Sequence, residues 1–463
     1  IPGRPRWPEI IWTSCPDETG KQTADHRPHI LGINPWIYDF AAFNLWSRPA
    51  GLLTCLQLFR QAGARTALLD CLDPMWSDTT WPRSRRCHTG SYPKVKMEKP
   101  GCLQSIPRQY SRYGLPYNAV STALSGLKPP PDLVLITSIM TYWYPGVLAA
   151  IDLVRSKYPT VPIVLGGIYA TLCFEHARQN SGADLIGQGP VEDEANWSRI
   201  WGLLQETPPV LSGKPSAGPA LDLYPEPDYS IILGSRGCPF HCAYCASDLL
   251  SPGFSQRGFE EVWDGLFPEI GRGVRDFAFY DDALLVRTET WLKPLLEELS
   301  AVGSPVRLHT PNALHVRFLT PKICKLLHQG GLTTVRLGLE TADFSERTDE
   351  KLSSREWDEG IRNLFAAGFQ PEQIGAYILF GLPGQDQREV VQAISFAKRY
   401  RIRPHLAHYS PIPGSRLFAE AKKISPYPLE EEPLFQNNSI WSCYKGGFTW
   451  QERTYWKKLV GDG

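Results

Sequence analysis

The run Gly237-Cys238-Pro239-Phe240-His241-Cys242-Ala243-Tyr244-Cys245 places three thiols at C-x3-C-x2-C spacing, directly after the apolar stretch Ser230-Ile231-Ile232-Leu233-Gly234. Soft thiolates gathered on one short loop suit an iron–sulfur cluster, and three ligands rather than four leave one iron open to a small molecule. An open iron points to chemistry rather than electron storage. Two other readings stand beside this one. Zinc could take the three thiolates together with His241, although structural zinc sites usually join two separated ligand pairs, and here every donor lies within one loop. A disulfide would strand the third thiol.

A cluster loop of this kind should open an alternation of strands and helices. Apolar runs follow at Asp276–Tyr280, Val306–His309, Thr334–Leu339, Ile374–Phe380 and His405–Tyr409, each short and rich in β-branched or aromatic residues. Amphipathic stretches lie between them, at about Phe259–Ile270, Thr288–Val302, Pro321–Gln329, Arg355–Ala367 and Gln387–Arg401. Parallel strands need such crossovers, so the pattern predicts an α/β fold with a partial (β/α)6 barrel. Sites of such barrels gather at the C-terminal strand ends, where the cysteine loop falls.

C-x3-C-x-aromatic-C after a first strand resembles the signature of the radical S-adenosylmethionine (radical SAM) superfamily. The resemblance implies a [4Fe–4S] cluster on Cys238, Cys242 and Cys245, whose fourth iron chelates the amino and carboxylate groups of S-adenosylmethionine. It also implies reductive cleavage to a 5′-deoxyadenosyl radical, fed by an external electron donor such as flavodoxin or ferredoxin. Residues are carried over one by one. Tyr244 is the aromatic of the motif and counts among the cofactor contacts. Asp281 and Asp282 close the second strand, where the family places polar contacts to the methionine end, although two adjacent acids also suit a solvated turn. Arg336, Gly338 and Glu340 resemble the fourth-strand motif, whose acid meets the ribose or amino group. Gly381-Leu382-Pro383-Gly384 resembles the fifth-strand turn, and Pro411-Ile412-Pro413-Gly414-Ser415 the exit from the sixth. Both also read as tight turns that need positive φ at glycine.

The first half opens with a β-α-β unit: a strand at His29–Asn34, a helix at Arg48–Gly63 and a strand at Arg65–Asp70. A third strand, Leu133–Ser138, leads through Thr141–Tyr158 to a fourth, Val161–Leu165, which ends in Gly166-Gly167. By pattern alone this is a doubly wound domain of flavodoxin type. Ser138, Met140, Gly166 and Gly167 resemble the contacts that a Rossmann-like cobalamin-binding domain makes with the corrin's nucleotide tail. The fold's usual cobalt-binding histidine, in D-x-H-x-x-G after the first strand, is missing: Asn34–Ser47 contains Asp39 but no histidine. Cobalamin would then lack a ligand from that loop, or the domain holds no corrin. Trp36, Tyr38, Trp46, Tyr142, Trp143 and Tyr144 could line the lower corrin face or simply pack. His88 is the tempting substitute ligand, although a lone loop histidine usually has no such role.

The 463 residues suggest two or three domains, and Lys plus Arg balance Asp plus Glu. A balanced chain without a long apolar run argues against nucleic acid or a membrane as partner. Eleven cysteines and no secretory signal point to a cytoplasmic location. The missing initiator methionine reads as processing or truncation. Expected boundaries are a leader over 1–28, a Rossmann domain over 29–206, a linker over 207–228, the barrel over 229–417 and a C-terminal cap over 418–463. The cap could close the barrel mouth or only pack.

Residues 74–130 read as an insertion in the first domain. Arg83, Arg85, Arg86, Lys94, Lys96, Lys99, Arg108, Arg112 and Lys128 stand there against Asp78 and Glu98 only, interleaved with Trp76, Trp81, Tyr92, Tyr110, Tyr113 and Tyr117. Such a stretch could grip an anionic substrate or single-stranded nucleic acid, or it is a solvated loop that braces the two domains.

Together these features predict a radical SAM enzyme with a preceding cobalamin-type domain, acting on a small-molecule or peptide substrate that carries negative charge. The resemblance implies methyl transfer to an unactivated carbon as the reaction. The alternatives are cyclisation, rearrangement or oxidation with a corrin-free first domain, or a binding protein with a structural metal.

Overall fold

The computed structural model describes residues 10–14, 27–73, 86–211, 218–303, 305–344 and 352–461. Most of the leader, and Trp76, Trp81, Arg83 and Arg85 of the insertion, lie outside that range. The chain divides into two units, Ile1–Gly101 with Arg108–Pro227, and Cys102–Pro107 with Asp228–Gly463.

In the first unit, β1 (His29–Asn34), β2 (Arg65–Asp70), β3 (Leu133–Ile136), β4 (Ile163–Leu165) and β5 (Leu185–Ile186) form one parallel sheet in the order β5-β4-β3-β1-β2. That is the flavodoxin-like order. The strands are apolar runs rather than alternating ones because both faces are covered. Leu31, Ile33, Val134, Ile136, Ile163 and Leu165 point to one face, where α2 (Tyr117–Gly126) and α3 (Tyr144–Lys157) supply Val120, Leu124, Val147 and Ile151. Ile30, Leu133, Leu135 and Val164 point to the other, against α1 (Ala50–Gln61) and α4 (Glu194–Leu203), with Phe59, Trp197 and Trp201 in contact.

Three stretches depart from the expected layout. Residues 117–126, inside the supposed insertion, are the crossover helix α2 between β2 and β3. Much of the remaining insertion pairs: Lys94–Lys96 and Ser111–Tyr113 join Ile37–Asp39 in a three-stranded antiparallel sheet. Two of its cations lie over rings of the same unit, Arg112 over Trp36 at 5.6 Å and over Tyr117 at 5.9 Å, Arg108 over Phe40 at 5.7 Å. The end of the supposed linker also packs within the first unit. Tyr224 is buried, its hydroxyl donates to Asp70 at 2.6 Å, and Arg48 stacks on its ring at 3.7 Å.

In the second unit, β6 (Ser230–Ile232), β7 (Asp276–Phe279), β8 (Arg307–His309), β9 (Leu332–Glu340), β10 (Ile374–Phe380) and β11 (Arg403–His408) form a six-stranded parallel sheet in sequential order. The crossovers are α5 (Phe259–Gly271), α6 (Leu292–Val302), α7 (Pro321–Gln329), α8 (Ser354–Ala366) and α9 (Gln387–Arg399). Sequential order with a helix after each strand is the partial (β/α)6 barrel. Val335, Leu337 and Leu339 of β9 and Ile374, Ala376, Ile378 and Phe380 of β10 join the core beneath the helices. With period two, Arg336, Gly338, Glu340, Gly375 and Tyr377 then face the lumen. Thr320 caps α7 and Ser353 caps α8, the latter in a reciprocal box with Glu356. In the C-terminal region, Trp441, Tyr444 and Trp456 of α10 (Trp450–Gly461) and the segment before it pack on Phe380 at the end of β10. Among the described residues no helix is long and apolar enough to cross a membrane.

Candidate functional site

The cysteine loop leaves β6 through a short hairpin, Ser235–Gly237 paired antiparallel with Phe254–Gln256. Gly237 turns the chain with φ 75°, and a Cβ there would lie 2.0 Å from the Gly253 carbonyl oxygen. Only glycine fits this close approach. Beyond it Phe240 stacks on His315 at 4.2 Å between ring centroids, which holds the loop against the segment after β8. His241 pairs with Asp248, and Arg416 donates to the His241 carbonyl.

Cys238, Cys242 and Cys245 line one concavity of about 650 Å³, together with Tyr244, Ser247, Asp282, residues 313–316, Gly338, Glu340 and Leu352. The three thiols therefore open on one space at the C-terminal ends of β6 to β9. Ser247, which follows the last cysteine by two positions, lies 3.2 Å from the Cys245 sulfur and donates to Asp282 at 3.2 Å. Its backbone N–H reaches the same sulfur at 3.4 Å. Ser247 and the 313–316 segment escape a motif-based reading. The only signal for Ser247 is a small polar residue opening a helix after Cys245.

Tyr244 donates its hydroxyl to Glu340 Oε1 at 2.5 Å, and burial, then the Glu340 charge, push the phenol's pKa up. Glu340 itself has φ 63°, in the left-handed region, at a register shift between Gly338 and Glu340. Strain of this kind in a non-glycine residue persists where the surroundings over-determine it, and it clusters at functional sites. Burial raises the Asp282 carboxyl as well.

The sequence-predicted residues separate into groups. Tyr244, Asp282 and Glu340 join the cysteines. Asp281 does not: it is buried below the loop, where the Gly234 N–H reaches it at 3.2 Å and the Ser235 hydroxyl donates at 2.5 Å. Burial pushes its pKa up to about 7. It braces the strand exit rather than lining the concavity. Arg336 lies lower in the lumen, bonded to the Val335 carbonyl at 3.0 Å. Gly381 lines a separate concavity bounded by Phe380, Gln385, Trp441 and Tyr444.

In the first unit, Ser138 donates to the Met140 carbonyl at 2.7 Å, and the Ile168 N–H reaches the Ser138 carbonyl at 2.8 Å. Gly167 has φ 87°, and a Cβ there would stand 2.6 Å from that same carbonyl oxygen. Ser138, Met140, Gly166 and Gly167 thus sit together at the C-terminal ends of β3 and β4, the crevice side of a doubly wound sheet. The aromatics read as a corrin face are largely packing. Trp36 is buried against Tyr117 and donates to the Leu115 carbonyl, Trp46 donates to the Cys87 carbonyl, and Tyr142 is buried. Trp143 donates to Asp39 at 2.7 Å.

Comparisons with known proteins bear on both units. A structure of the radical S-adenosylmethionine methyltransferase TsrM from Kitasatospora setae, with tryptophan substrate and a SAM analog bound, superposes with a TM-score of 0.62 at 15% identity. It covers 85% of this chain and 76% of that one. A second TsrM structure, with cobalamin and a [4Fe–4S] cluster, gives 0.58 at 16% identity over 87% of this chain and 80% of that one. These likenesses show a shared fold across both units. A protein of Pyrococcus horikoshii described as an uncharacterized methyltransferase is 24% identical over 218 residues, 44% of this chain and 46% of its own length. The chain thus spans about half the length of that curated relative. Residues 232–397, from the end of β6 into α9, match the family model described as the radical SAM superfamily.

Proposed function

We propose that the chain is a cobalamin-dependent radical SAM methyltransferase acting on an unactivated carbon. The observation that carries the reading is the single concavity on which three cysteines, Tyr244, Asp282 and Glu340 converge. Its donor set fits the cluster: three soft thiols and no fourth protein thiol among the described lining residues, which leaves one iron for a chelating ligand. Cys238, Cys242 and Cys245 would hold the [4Fe–4S] cluster, and Ser138, Met140, Gly166 and Gly167 would meet the cobalamin tail. When bound, the cluster and S-adenosylmethionine supply radical chemistry and cobalamin carries a methyl group.

The chain's own residues bind and shield. Glu340, fixed by the Tyr244 hydroxyl, presents a carboxylate where an amino group or ribose hydroxyls would dock. Ser247 ties the Cys245 sulfur to Asp282 and so sets the orientation of that ligand. The expected substrate is a small molecule or peptide, and an external reductase would supply electrons. The fold shared with TsrM and the methyltransferase description of the Pyrococcus relative support this reading.

Anoxic reconstitution tests it. The loaded chain should contain iron and acid-labile sulfide, retain hydroxocobalamin after desalting, and release 5′-deoxyadenosine from S-adenosylmethionine under reduction. Cys242→Ala should stay folded and release none. A second reading keeps the cluster without the corrin, and the histidine-free loop after β1 favours it. Loss of all corrin absorbance on desalting would select that second reading.

A further inference from the structure

We propose that the barrel lumen contains an oxyanion site formed by Arg336, Arg403, Tyr377 and His405, which receives a carboxylate or phosphate group of the small molecule held there. As the anchor of the enzyme's substrate it rests on the radical SAM reading; as an anion site it stands on its own geometry.

Register across three strands sets the residues in two rows. Arg336 of β9 pairs with Gly375 of β10, which pairs with Arg403 of β11, while Gly338, Tyr377 and His405 form the next row toward the C-terminal ends. A Cβ on Gly375 would stand 2.6 Å from the His405 ring and 3.2 Å from Arg336 Cδ. The Arg336 and His405 side chains therefore converge over Gly375, which leaves them room. Tyr377 is fixed by its hydroxyl bond to the Pro311 carbonyl at 2.9 Å, and its ring meets His405 edge-on at 6.0 Å.

The charges around this cluster do not balance. Among the described residues no carboxylate forms an ion pair with Arg336 or Arg403. The nearby lumen acid, Asp276, is already held by Arg307 and by His309 at 2.9 Å, and Glu340 by Tyr244. Burial and the two arginines push His405 down to about 4, so it stands there as a neutral ring. Burial and Arg403 likewise disfavour the Arg336 cation, whose hydrogen-bond partners are a neighbouring carbonyl and the Tyr377 hydroxyl, both uncharged. A half-buried guanidinium with unused donors and no counterion calls for an anion, and its planar fork matches carboxylate and phosphate oxygens.

Thermal unfolding of the anoxically reconstituted full chain tests the site. The probes are sodium phosphate and sodium succinate, each against sodium chloride at equal ionic strength. Phosphate or succinate should raise Tm beyond chloride, and Arg336→Gln should weaken the apparent affinity by about tenfold or more, the worth of a charge-assisted pair. Without anion, Arg336→Gln should melt at the wild-type temperature or higher, because an uncompensated cation has gone. Arg403→Gln, at an exposed position, should fold in any event and give a smaller loss of anion response. A response to phosphate alone assigns a phosphate group, and to succinate alone a carboxylate. An equal anion response in both variants and the wild type overturns the proposal, as does no response in the wild type. Iron content read on the same samples separates the two conclusions: iron without anion response sinks only the oxyanion site, and anion response without iron sinks only the cluster.

Discussion

Asp281 holds its proton to about pH 7 in the folded chain, whereas an ordinary aspartate releases it near 3.8. Between those values the folded state binds more protons than the unfolded one, so its contribution to stability falls as pH rises through that window and is flat above it. Asp281→Asn should remove this slope, so the difference in urea midpoint between pH 5 and pH 8 should be smaller in the variant; an unchanged slope would refute the account. Gly237→Ala faces both a positive φ and a backbone oxygen 2.0 Å from the new Cβ. Iron bound after anoxic reconstitution should drop severalfold while the far-ultraviolet spectrum persists, because the damage is local to the loop. Tyr244→Phe leaves the Glu340 carboxylate without its 2.5 Å donor. A hydrogen bond to a charged group contributes about 1.5–3 kcal/mol, and a denaturant titration should show a loss of that order. Individual side chains were the hardest level to infer from sequence. Asp281 and Asp282 are adjacent, yet a strand end turns one under the loop and the other into the concavity. Sequence spacing cannot show that turn.

Helices and strands were more legible, because the lumen and helix faces of the barrel strands alternate with period two, and its helices carry strong apolar stripes. Five barrel helices and six strands emerge near their expected limits for that reason. What escaped lacks periodicity. Leu185–Ile186, the fifth strand of the first sheet, is only two residues long, and α2 is a run of small and polar residues without a side-chain cap. In α8 the opposite holds, since Ser353 both accepts from the Glu356 N–H and shares a box with that side chain. Ser353→Ala should lower stability by about 1 kcal/mol in a denaturant titration, with iron content unchanged. A fall in iron would mean that the α8 cap also shapes the cysteine loop.

At the scale of the whole molecule, each unit has its own apolar core: two layers around the first sheet and one beneath the barrel helices. Ligands assigned to different units should therefore act separately. Hydroxocobalamin should raise the melting temperature of Cys242→Ala as much as that of the wild type, because any ligand binding only the folded form stabilises it by mass action. A shift that vanishes with the cysteine would place the corrin's contacts elsewhere.

Residues 102–107 belong to the second unit although the chain on both sides of them belongs to the first. Leu103 and Ile106 are buried, and the Trp450 indole donates to the Pro107 carbonyl at 2.7 Å. During synthesis this hexapeptide leaves the ribosome some 340 residues before that tryptophan, the two partners being 343 positions apart. At about 5–20 residues per second its apolar side chains wait many seconds for cover. Nascent chains should be most exposed to chaperones and proteases there, and a fragment that stops at the first unit's last residue inherits that sticky segment permanently.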